Sequence, residues 1–378
     1  MEKGVEKVLK ALILAGGYGT RLRPLSCTKP KLLFPIANKP LLEWVLERLS
    51  GVGVSTVVLA VNYRADMIRS FCGDEKYGLK ILYSQEKTPL GTGGPIKLAE
   101  KVLSLEEGEK LLILNGDIFS NVNFDELKKV HDEQVSRWGA VLTLTLFEVE
   151  DPRRYGVVET NQDGKVLKFI EKPEQKEGVS KNINAGVYLT DQRIFGYLKE
   201  GRHSIEREVF PVLAEQGLLF GYKHTGLWMD IGKIEDYMAA NFKVLEQTAK
   251  NQPKIGENVE LASNVKIIPP TIIGSNTKIG EGSRIGPYTV IGENVSIGKS
   301  CRIRESVLFS GITVESGSAV TSSIVGDNVS MGENVRIGKG SVIGEGVTIA
   351  NNVKLASKVF VCPYKEVNFS VLRSKHIM

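Results

Sequence analysis

The sequence has few residues of the kinds that mark several large classes of protein. Its 378 residues include only four cysteines, Cys27, Cys72, Cys301 and Cys362, which lie far apart and form no CxxC pair. This spacing lacks the pattern of a cysteine metal site, and it fits reduced thiols in the cytoplasm better than a disulfide framework. No apolar run approaches the roughly 20 residues that a membrane span needs, and the charged N-terminus is not a signal sequence. We therefore expect a soluble, cytoplasmic protein with no membrane partner.

An excess of one charge is also lacking. The formal net charge is +5, and no dense basic run is interleaved with aromatic residues, so a nucleic acid partner is not indicated. What the sequence does have is 42% apolar and 25% charged residues, which is typical of a soluble globular protein. The length is sufficient for two domains, each with its own core.

Up to about residue 240, short apolar runs alternate with helical patterns. Strands are expected at 11–15, 56–61, 79–84, 111–117 and 140–147, and helices at 42–49 and 96–103. This alternation predicts an α/β fold with a Rossmann-like, mostly parallel sheet covered on both faces. Ligands of such sheets usually bind beyond the carboxyl ends of the strands.

The last third of the chain has a six-residue repeat. Aliphatic residues return at Ile255, Leu261, Ile267, Ile273, Ile279, Ile285, Ile291, Ile297 and Ile303, and after two shortened steps the period resumes at Met331. The pattern predicts a left-handed parallel β-helix of hexapeptide repeats, because each turn is a three-sided prism with the aliphatic residues pointing inward. A glycine-rich linker would lack this period. The shortened steps between 303 and 325 predict a local distortion of the prism.

These two patterns divide the chain into two expected domains. Residues 1–250 form the first, with a linking helix near 234–248, and residues 251–378 form the second. Coils of this kind commonly associate through their faces or ends, so we expect a homo-oligomer formed through the β-helix.

The stretch LILAGGYGTRLRPLSCTKPKLL at 12–33 combines glycines with several cations after an apolar strand. Gly16, Gly17 and Gly19 let main-chain N–H groups approach an anion closely. Arg21 offers a planar fork for phosphate oxygens, and Lys31 offers a compact point charge. The pattern is neither GxGxxG nor a P-loop, and it favours a bound nucleoside triphosphate.

Residues 15–33 resemble the GGxGTRLxPLT…PKP signature of the sugar-1-phosphate nucleotidyltransferases, with Ser26 and Leu32 as departures from it. Further motifs follow in the family's order: PLGTGGP at 89–95, NGD at 115–117, YGVVE at 155–159, EKP at 171–173, NAGVY at 184–188 and WMDIG at 228–232. Together with the C-terminal coil, the chain is similar to the members that use GTP and mannose 1-phosphate. The resemblance implies that these two small molecules are the substrates, and that Ala15 and Thr20 also contact the nucleotide.

The resemblance also implies a metal site. Asp117 and Asp230 would hold Mg²⁺, an ion that uses one or two carboxylates together with substrate phosphates. From sequence alone, a carboxylate at a strand end is more often a helix cap or a turn residue. Arg21 and Lys31 would hold the triphosphate and offset the charge of the departing pyrophosphate.

A second group of residues is implied to bind the sugar phosphate. Glu171 would accept hydrogen bonds from hexose hydroxyls, and Lys172 would neutralise the phosphate. Gly156 and Asn184 would be further hexose contacts. The alternatives are a surface ion pair for Glu171 and Lys172, and a turn residue for Asn184.

Five residues before Gly91 of the PLG motif, pyrimidine-using relatives commonly carry Gln, and this chain carries Glu86. A carboxylate can accept the two adjacent donors of guanine, N1–H and the 2-amino group, so Glu86 favours guanine. The count is sensitive to a one-residue shift that would exchange Glu86 with Gln85.

Several other functions remain open. The coil could carry an acetyltransferase site, but such sites ordinarily use a histidine base, and none of His131, His203, His224 and His376 lies among the repeats. Adenylyl-, thymidylyl- or uridylyltransferases of hexose 1-phosphates share the motifs. The alternative that is not an enzyme is a non-catalytic regulatory subunit of the same fold.

Overall fold

The computed structural model describes residues 9–174 and 180–377, so the charged N-terminus discussed above lies mostly outside the described residues. The chain packs as two compact units. One unit takes the chain up to Gly17 and again from Leu42 to Asp230, and the other takes Tyr18–Leu41 and the chain from Ile231 onward. The boundary expected at residue 250 stays a prediction about independent folding, because the units divide the chain at other places. Within the described residues, no helix is long and apolar enough to cross a membrane.

The α-helices are α1 (Leu41–Ser50), α2 (Ala65–Cys72), α3 (Gly94–Leu103), α4 (Phe124–Trp138), α5 (Ile205–Glu208), α6 (Phe210–Glu215) and α7 (Ile234–Thr248). Short 3₁₀ helices cover Thr20–Leu22, Leu25–Cys27, Lys31–Leu33, Pro152–Arg154 and Gln192–Tyr197. The strands that precede the coil are β1 (Leu9–Leu14), β2 (Pro35–Ile36), β3 (Lys39–Pro40), β4 (Val54–Val61), β5 (Glu75–Lys76), β6 (Leu79–Gln85), β7 (Lys110–Asn115), β8 (Ile118–Ser120), β9 (Leu142–Glu148), β10 (Gly156–Thr160), β11 (Val166–Glu171), β12 (Asn182–Asp191), β13 (Leu219–His224) and β14 (Trp228–Asp230).

The first unit is built on a Rossmann-like sheet. Its strand order is β11-β10-β12-β7-β1-β4-β6-β5, with β9 beside β12 and β13 beside β9. The central strands β7, β1, β4 and β6 are parallel to one another. They read as continuous apolar runs because both faces of the sheet are covered. The strands and helices expected in this part of the sequence are confirmed.

The carboxyl ends of these central strands meet at one edge of the sheet. Ala15, directly after β1, donates its N–H to the carbonyl of Ala60 at 2.8 Å. Gly116, directly after β7, donates to Leu14 at 3.0 Å. Glu86, directly after β6, donates to Val61 at 2.9 Å. The glycine-rich stretch therefore begins beside the two neighbouring strand ends.

The second unit contains a parallel β-helix, as expected. Its strands are β15 (Lys254–Ile255), β16 (Glu260–Leu261), β17 (Lys266–Ile267), β18 (Thr271–Ile273), β19 (Lys278–Ile279), β20 (Arg284–Ile285), β21 (Thr289–Ile291), β22 (Ser296–Ile297), β23 (Arg302–Arg304), β24 (Val307–Leu308), β25 (Thr313–Val314), β26 (Ala319–Thr321), β27 (Ile324–Val325), β28 (Ser330–Met331), β29 (Arg336–Ile337), β30 (Val342–Ile343), β31 (Thr348–Ile349), β32 (Lys354–Leu355), β33 (Val359–Val361), β34 (Glu366–Val367) and β35 (Lys375–Ile377). Up to β34 every third strand joins the same face, and β35 joins the face of β33, which produces three parallel sheets. The repeated aliphatic residues stack along each face and fill the interior.

The local distortion expected between 303 and 325 is not found. Ile291 pairs with Leu308, and Leu308 pairs with Val325, so each of these two turns contains 17 residues rather than 18. The missing residue comes from the same corner in both turns, where Glu305 and Ser322 take positive φ angles of 49° and 45°. Strand pairing continues on all three faces because a corner can lose a residue without shifting the register of the strands.

The final strand corrects the expectation that no histidine lies among the coils. His376 pairs with Phe360 on the first face, and the two rings stack with centroids 4.8 Å apart. The sequence pattern missed this strand because the last turn, from Val361 to Ile377, does not keep the six-residue period.

Residues 18–41 and helix α7 pack with the β-helix in the second unit. The hydroxyl of Tyr237 on α7 donates to the carbonyl of Pro35. The N–H of Ala37 donates to Asn241 Oδ1, also on α7, at 2.9 Å. Asn38 Nδ2 donates to the carbonyl of Ile291 in the coil at 2.6 Å. The helix expected as a linker is thus a packing element of this unit.

Candidate active site

Gly16 and Glu86 are in close contact in the first unit. A Cβ atom at Gly16 would lie 2.4 Å from Glu86 Oε1, so a larger residue there would displace the Glu86 carboxylate. Glu86 is buried, and its Oε2 accepts the N–H of Leu90 at 3.0 Å. Burial raises the pKa of the Glu86 carboxyl, and the Leu90 N–H opposes this rise. The adjacent Gln85 is exposed.

The loop PLGTGGP at 89–95, which follows Glu86, contacts the segment before α5. Gly91 has a φ of +80°, and a Cβ there would lie 2.3 Å from the carbonyl oxygen of His203. His203 donates its N–H to the carbonyl of Leu90 at 3.1 Å, and its own carbonyl accepts from Gly93 at 3.1 Å. The hydroxyl of Thr92 bonds the carboxylate of Glu206. Glycine is required in this loop because the His203 backbone approaches so closely.

Asp117 and Asp230 come together through a short antiparallel pair of strands. Strand β14 pairs with β8 so that Asp230 lies opposite Ile118, the residue directly after Asp117. Arg154 Nη2 lies 3.8 Å from Asp230 Oδ2. Both aspartates are partly buried. This pairing brings the backbones of Asp117 and Asp230 next to each other, and carboxylates are the ligand type that Mg²⁺ takes together with water and substrate oxygens. Within the described residues, no group of three or more His, Cys, Asp or Glu could hold a metal ion.

An aromatic cluster holds Asp230 against the rest of the sheet. Trp228, two residues earlier on β14, donates its indole N–H to the carbonyl of Ala185 on β12 at 2.9 Å. Its ring stacks on Phe147 and meets Tyr155 edge to face, both with centroids 5.3 Å apart. These contacts fix β14 between β12 and the 3₁₀ turn that precedes β10.

Gly156, Glu171 and Lys172 form a second group. Gly156 pairs with Glu171 across β10 and β11, and a Cβ at Gly156 would lie 2.9 Å from Glu171 Oε2. Lys172 takes a φ of +50°, which is uncommon for a side chain of its size, and its Nζ lies 3.1 Å from Glu171 Oε1. Glu171 is mostly buried, whereas the Lys172 side chain is exposed.

Asn184 lies at an irregularity in β12, where the pairing with β9 shifts between Asn184 and Tyr188. Its Oδ1 accepts the N–H of Gly186 at 3.0 Å, and its Nδ2 donates to the hydroxyl of Tyr188 at 3.0 Å. Both ends of the amide are therefore engaged within β12, which matches the alternative of a local structural residue. Its role as a hexose contact stays a prediction.

The remaining predicted residues lie in the second unit. Gly19 has a left-handed conformation with φ of 59° at the start of the 3₁₀ helix that carries Thr20 and Arg21. The hydroxyl of Ser26 donates to the carbonyl of Gly19 at 2.7 Å. Lys31 begins another 3₁₀ helix and is buried, whereas Thr20 and Arg21 are exposed, as is Gly17 at the end of the first unit.

Comparison with known proteins identifies the family of the chain. The family model described as "Nucleotidyl transferase" matches residues 10–247, and that described as "GMPPB C-terminal domain" matches residues 267–377. The chain belongs to the nucleotidyl transferase family. Mannose-1-phosphate guanylyltransferase catalytic subunit beta from Drosophila pseudoobscura pseudoobscura is 40% identical over 268 residues, 70% of each chain. Mannose-1-phosphate guanyltransferase from Saccharomyces cerevisiae is 38% identical over 266 residues, 69% of this chain and 72% of its own.

A solved structure is also similar to this nucleotidyltransferase. HddC from Yersinia pseudotuberculosis, complexed with GMP-PN, has 31% sequence identity and a TM-score of 0.52. The match covers 62% of this chain and 99% of that one.

Some residues that shape this site were not predicted from the sequence. The backbone of His203 hydrogen-bonds Leu90 and Gly93 of the loop at 89–95. Arg154 faces Asp230, and Tyr188 bonds Asn184. The sequence held a weak signal for Arg154, because it directly precedes the YGVVE motif. No local pattern marks His203, since its partners lie more than a hundred residues earlier in the chain.

Proposed function

We propose that this nucleotidyltransferase forms GDP-mannose and pyrophosphate from GTP and mannose 1-phosphate. A phosphate oxygen of the sugar attacks the α-phosphorus of GTP, a new P–O bond forms, and the bond to the β-phosphate oxygen breaks. Pyrophosphate leaves with the electron pair of that bond, and no covalent enzyme intermediate is needed. The observation that carries the proposal is the strand pairing of Asp230 opposite Ile118, next to Asp117.

Asp117 and Asp230 would hold Mg²⁺ in this reaction. The ion, when bound, supplies positive charge that neutralises the phosphates. The fit rests on the donor set, two partly buried carboxylates at adjoining strand ends. Arg21 and Lys31 would hold the triphosphate and offset the charge of the leaving pyrophosphate, because nucleotidyl transfer between two anions is limited largely by charge repulsion and positioning.

Glu86 would select the base. Its carboxylate is buried beside Gly16 at the end of β6, so a base stacked over the glycine stretch would meet Oε1 while Oε2 stays on Leu90. Guanine offers two adjacent donors to such a carboxylate, whereas a pyrimidine offers one. This supports GTP over UTP or dTTP. Ala15, Gly17 and Thr20 would bring backbone N–H groups to the nucleotide.

Glu171 and Lys172 would bind the sugar phosphate. The carboxylate of Glu171 is shielded from solvent and can accept hexose hydroxyls, whereas the exposed ammonium of Lys172 is available to the phosphate. Gly156 supports this group because its missing side chain makes room for Glu171 Oε2.

A substrate matrix tests the proposal. GTP, ATP, UTP and dTTP are each combined with mannose, glucose and N-acetylglucosamine 1-phosphates in the presence of Mg²⁺, and pyrophosphate release is measured. GTP with mannose 1-phosphate should give the highest kcat/KM. A faster reaction with another pair would favour an adenylyl-, thymidylyl- or uridylyltransferase. No turnover with any pair would favour the non-catalytic regulatory subunit.

We also propose that the protein is a homo-oligomer formed through the β-helix. Ile255 and Leu261 occupy inward-pointing positions of the first coil turn, yet they are 46% and 44% exposed, so that turn leaves apolar surface uncovered in the single chain. Light scattering should report a dimer or larger species, and a clean monomer would contradict the proposal.

The compartment we propose is the cytoplasm. The cysteines Cys27, Cys72, Cys301 and Cys362 are all thiols in the structure, which suits a reducing environment. Thiol titration of denatured protein that was purified without reductant should find four thiols per chain. Fewer would indicate disulfides and count against this compartment.

A further inference from the structure

Lys29 lies two residues before Lys31 and is held by the β-helix. Its Nζ lies 2.5 Å from Asp327 Oδ2, and both side chains are mostly buried, with 22% and 18% exposed. The same Nζ lies 5.3 Å from the centroid of the Phe309 ring. The pair and the ring together fix the ammonium at one corner of the coil, where partial burial makes the contact stronger than an exposed ion pair.

Asp327 makes one contact that the coil uses at this position and a second, with Lys29, that the coil does not need. At this corner, a side chain of one turn accepts the N–H of the turn before it. Serine hydroxyls do so elsewhere, where Ser275 accepts from Glu257 at 3.1 Å and Ser310 accepts from Glu293 at 3.2 Å. Asp327 Oδ1 accepts from Ser310 at 3.2 Å in the same way. A serine would satisfy the coil, so the second carboxylate oxygen is available to Lys29.

The contact of Lys29 with Asp327 and Phe309 is one anchor of this segment, and Phe34, on the other side of Lys31, is a second. The ring of Phe34 meets Phe309 edge to face with centroids 6.1 Å apart, and it meets Tyr237 of α7 at 5.6 Å. Phe34 is buried. Phe309 therefore touches both Lys29 and Phe34, and it lies one coil turn from Asp327, because Leu308 pairs with Val325.

The backbone between the two anchors is short and constrained. Pro30 fixes its own φ and precedes the 3₁₀ helix Lys31–Leu33, whose N–H groups at Leu33 and Phe34 bond the carbonyls of Pro30 and Lys31 at 2.9 and 3.0 Å. A displacement of either anchor would therefore move Lys31.

We infer that Asp327 and Phe309 of the β-helix are positioning residues for nucleotidyl transfer, which act by holding Lys31 through Lys29 and Phe34. The inference rests on the proposed function, in which Lys31 contacts the triphosphate. It assigns the coil a part in the reaction besides assembly. A misplacement of about 1 Å in a charge-stabilising group can cost on the order of 100-fold in rate, so small shifts of these anchors have measurable effects.

The test uses the full chain with Asp327→Ser, which replaces the carboxylate acceptor of the corner with the hydroxyl acceptor found at Ser275 and Ser310 and removes the partner of Lys29. The matched control is Glu281→Ser, which removes another coil ion pair, with Lys299 at 3.6 Å, away from residues 18–41. Hydrogen exchange of peptides within 18–41 is measured by mass spectrometry, together with kcat, KM for GTP and Tm.

We expect Asp327→Ser to exchange faster across residues 25–34 and to lose about ten- to 100-fold in kcat, with a Tm within about 2 °C of the control. Asp327→Glu should restore most of the activity. Exchange equal to that of Glu281→Ser would overturn the inference, as would a loss of kcat without faster exchange. If the wild-type chain proves inactive on GTP and mannose 1-phosphate, the proposed function fails, and the exchange measurement still decides whether Asp327 holds this segment.

Discussion

At the scale of single residues, two buried or half-buried carboxylate sites carry most of the proposed chemistry. Glu86 is enclosed between Gly16 and Leu90, and Asp230 is aligned next to Asp117 by strand pairing. A substitution at each of these two residues distinguishes a role in the reaction from a role in the structure alone.

Glu86→Gln should relax the choice of base. The amide offers one donor and one acceptor, so it pairs less well with guanine and better with a pyrimidine. We expect kcat/KM for GTP to fall by about ten- to 100-fold, since a hydrogen bond to a charged group contributes about 1.5 to 3 kcal/mol. The ratio of UTP to GTP turnover should rise. An unchanged ratio would contradict the assignment of Glu86 to the base.

The same variant has a pH signature in stability. Burial raises the folded-state pKa of Glu86, so the charged carboxylate disfavours the folded state once the pH exceeds the unfolded value of about 4.3. Gln has no such cost. The difference in Tm between Glu86→Gln and wild type should therefore be near zero below about pH 4 and should grow in favour of Gln toward pH 7. A difference that shrinks with rising pH would contradict the raised pKa.

Asp230→Asn should weaken the metal site without disturbing its strand. The asparagine keeps the size of the side chain but removes its charge, so Mg²⁺ and the phosphates are held less well. We expect kcat to fall on the order of 100-fold or more, and the Mg²⁺ concentration for half-maximal rate to rise. The control is Asp163→Asn in the exposed turn between β10 and β11, which should leave both quantities unchanged. Equal effects of the two variants would exclude a special role for Asp230.

At the scale of elements, the corners of the β-helix depend on residues that tolerate the left-handed conformation. Asparagines occupy many of these corners, and Asn294 has a φ of 55°. Asn adopts this conformation more readily than other side chains, and glycine does so without steric cost. The Asn and Gly residues between the aliphatic positions thus explain how the chain turns at many of the corners.

Asn294→Ala should destabilise the protein by about 1 kcal/mol, the penalty of a left-handed residue with an ordinary side chain. Asn294→Gly should cost less, because glycine carries no such penalty. Both are measured by urea unfolding of the full chain. Ser296→Ala, on an exposed strand position of the same turn, is the control and should change little. An alanine variant as stable as the glycine variant would show that the corner does not need this conformation.

At the scale of the whole molecule, residues 18–41 place most of the signature that we propose binds the nucleotide in the same unit as the coil. They carry Arg21 and Lys31, and their packing partners are α7 and the coil. The domain boundary predicted from the sequence at residue 250 separates this segment from its partners in the coil, Ile291, Phe309 and Asp327.

A chain that ends at residue 250 should therefore lose activity. It lacks Ile291, Phe309 and Asp327, so the buried side chain of Phe34 would be exposed and Lys31 would be held loosely. We expect pyrophosphate release to fall below a hundredth of the full-length rate, with increased binding of a hydrophobic dye. Full activity of the shorter chain would show that the signature segment does not need the coil.

What the sequence determined by itself was everything encoded in local periodicity and short motifs. The strands around Leu12 and Ile113 follow from continuous apolar runs, the helix that ends before Gly51 from a spacing of three to four residues, and the stacked aliphatic positions of the coil from the six-residue period. The cluster of Gly16, Gly17 and Gly19 likewise marked a stretch where main-chain N–H groups can approach an anion closely.

Only the tertiary structure decided which distant residues meet. The close approach of His203 to Gly91, the alignment of Asp230 with Ile118 and the contact of Lys29 with Asp327 join positions roughly 110 to 300 residues apart. The same is true of the corner that absorbs the shortened turns and of the last coil strand with His376. The physical reason is that such contacts depend on how complete elements pack, which no local spacing along the chain records.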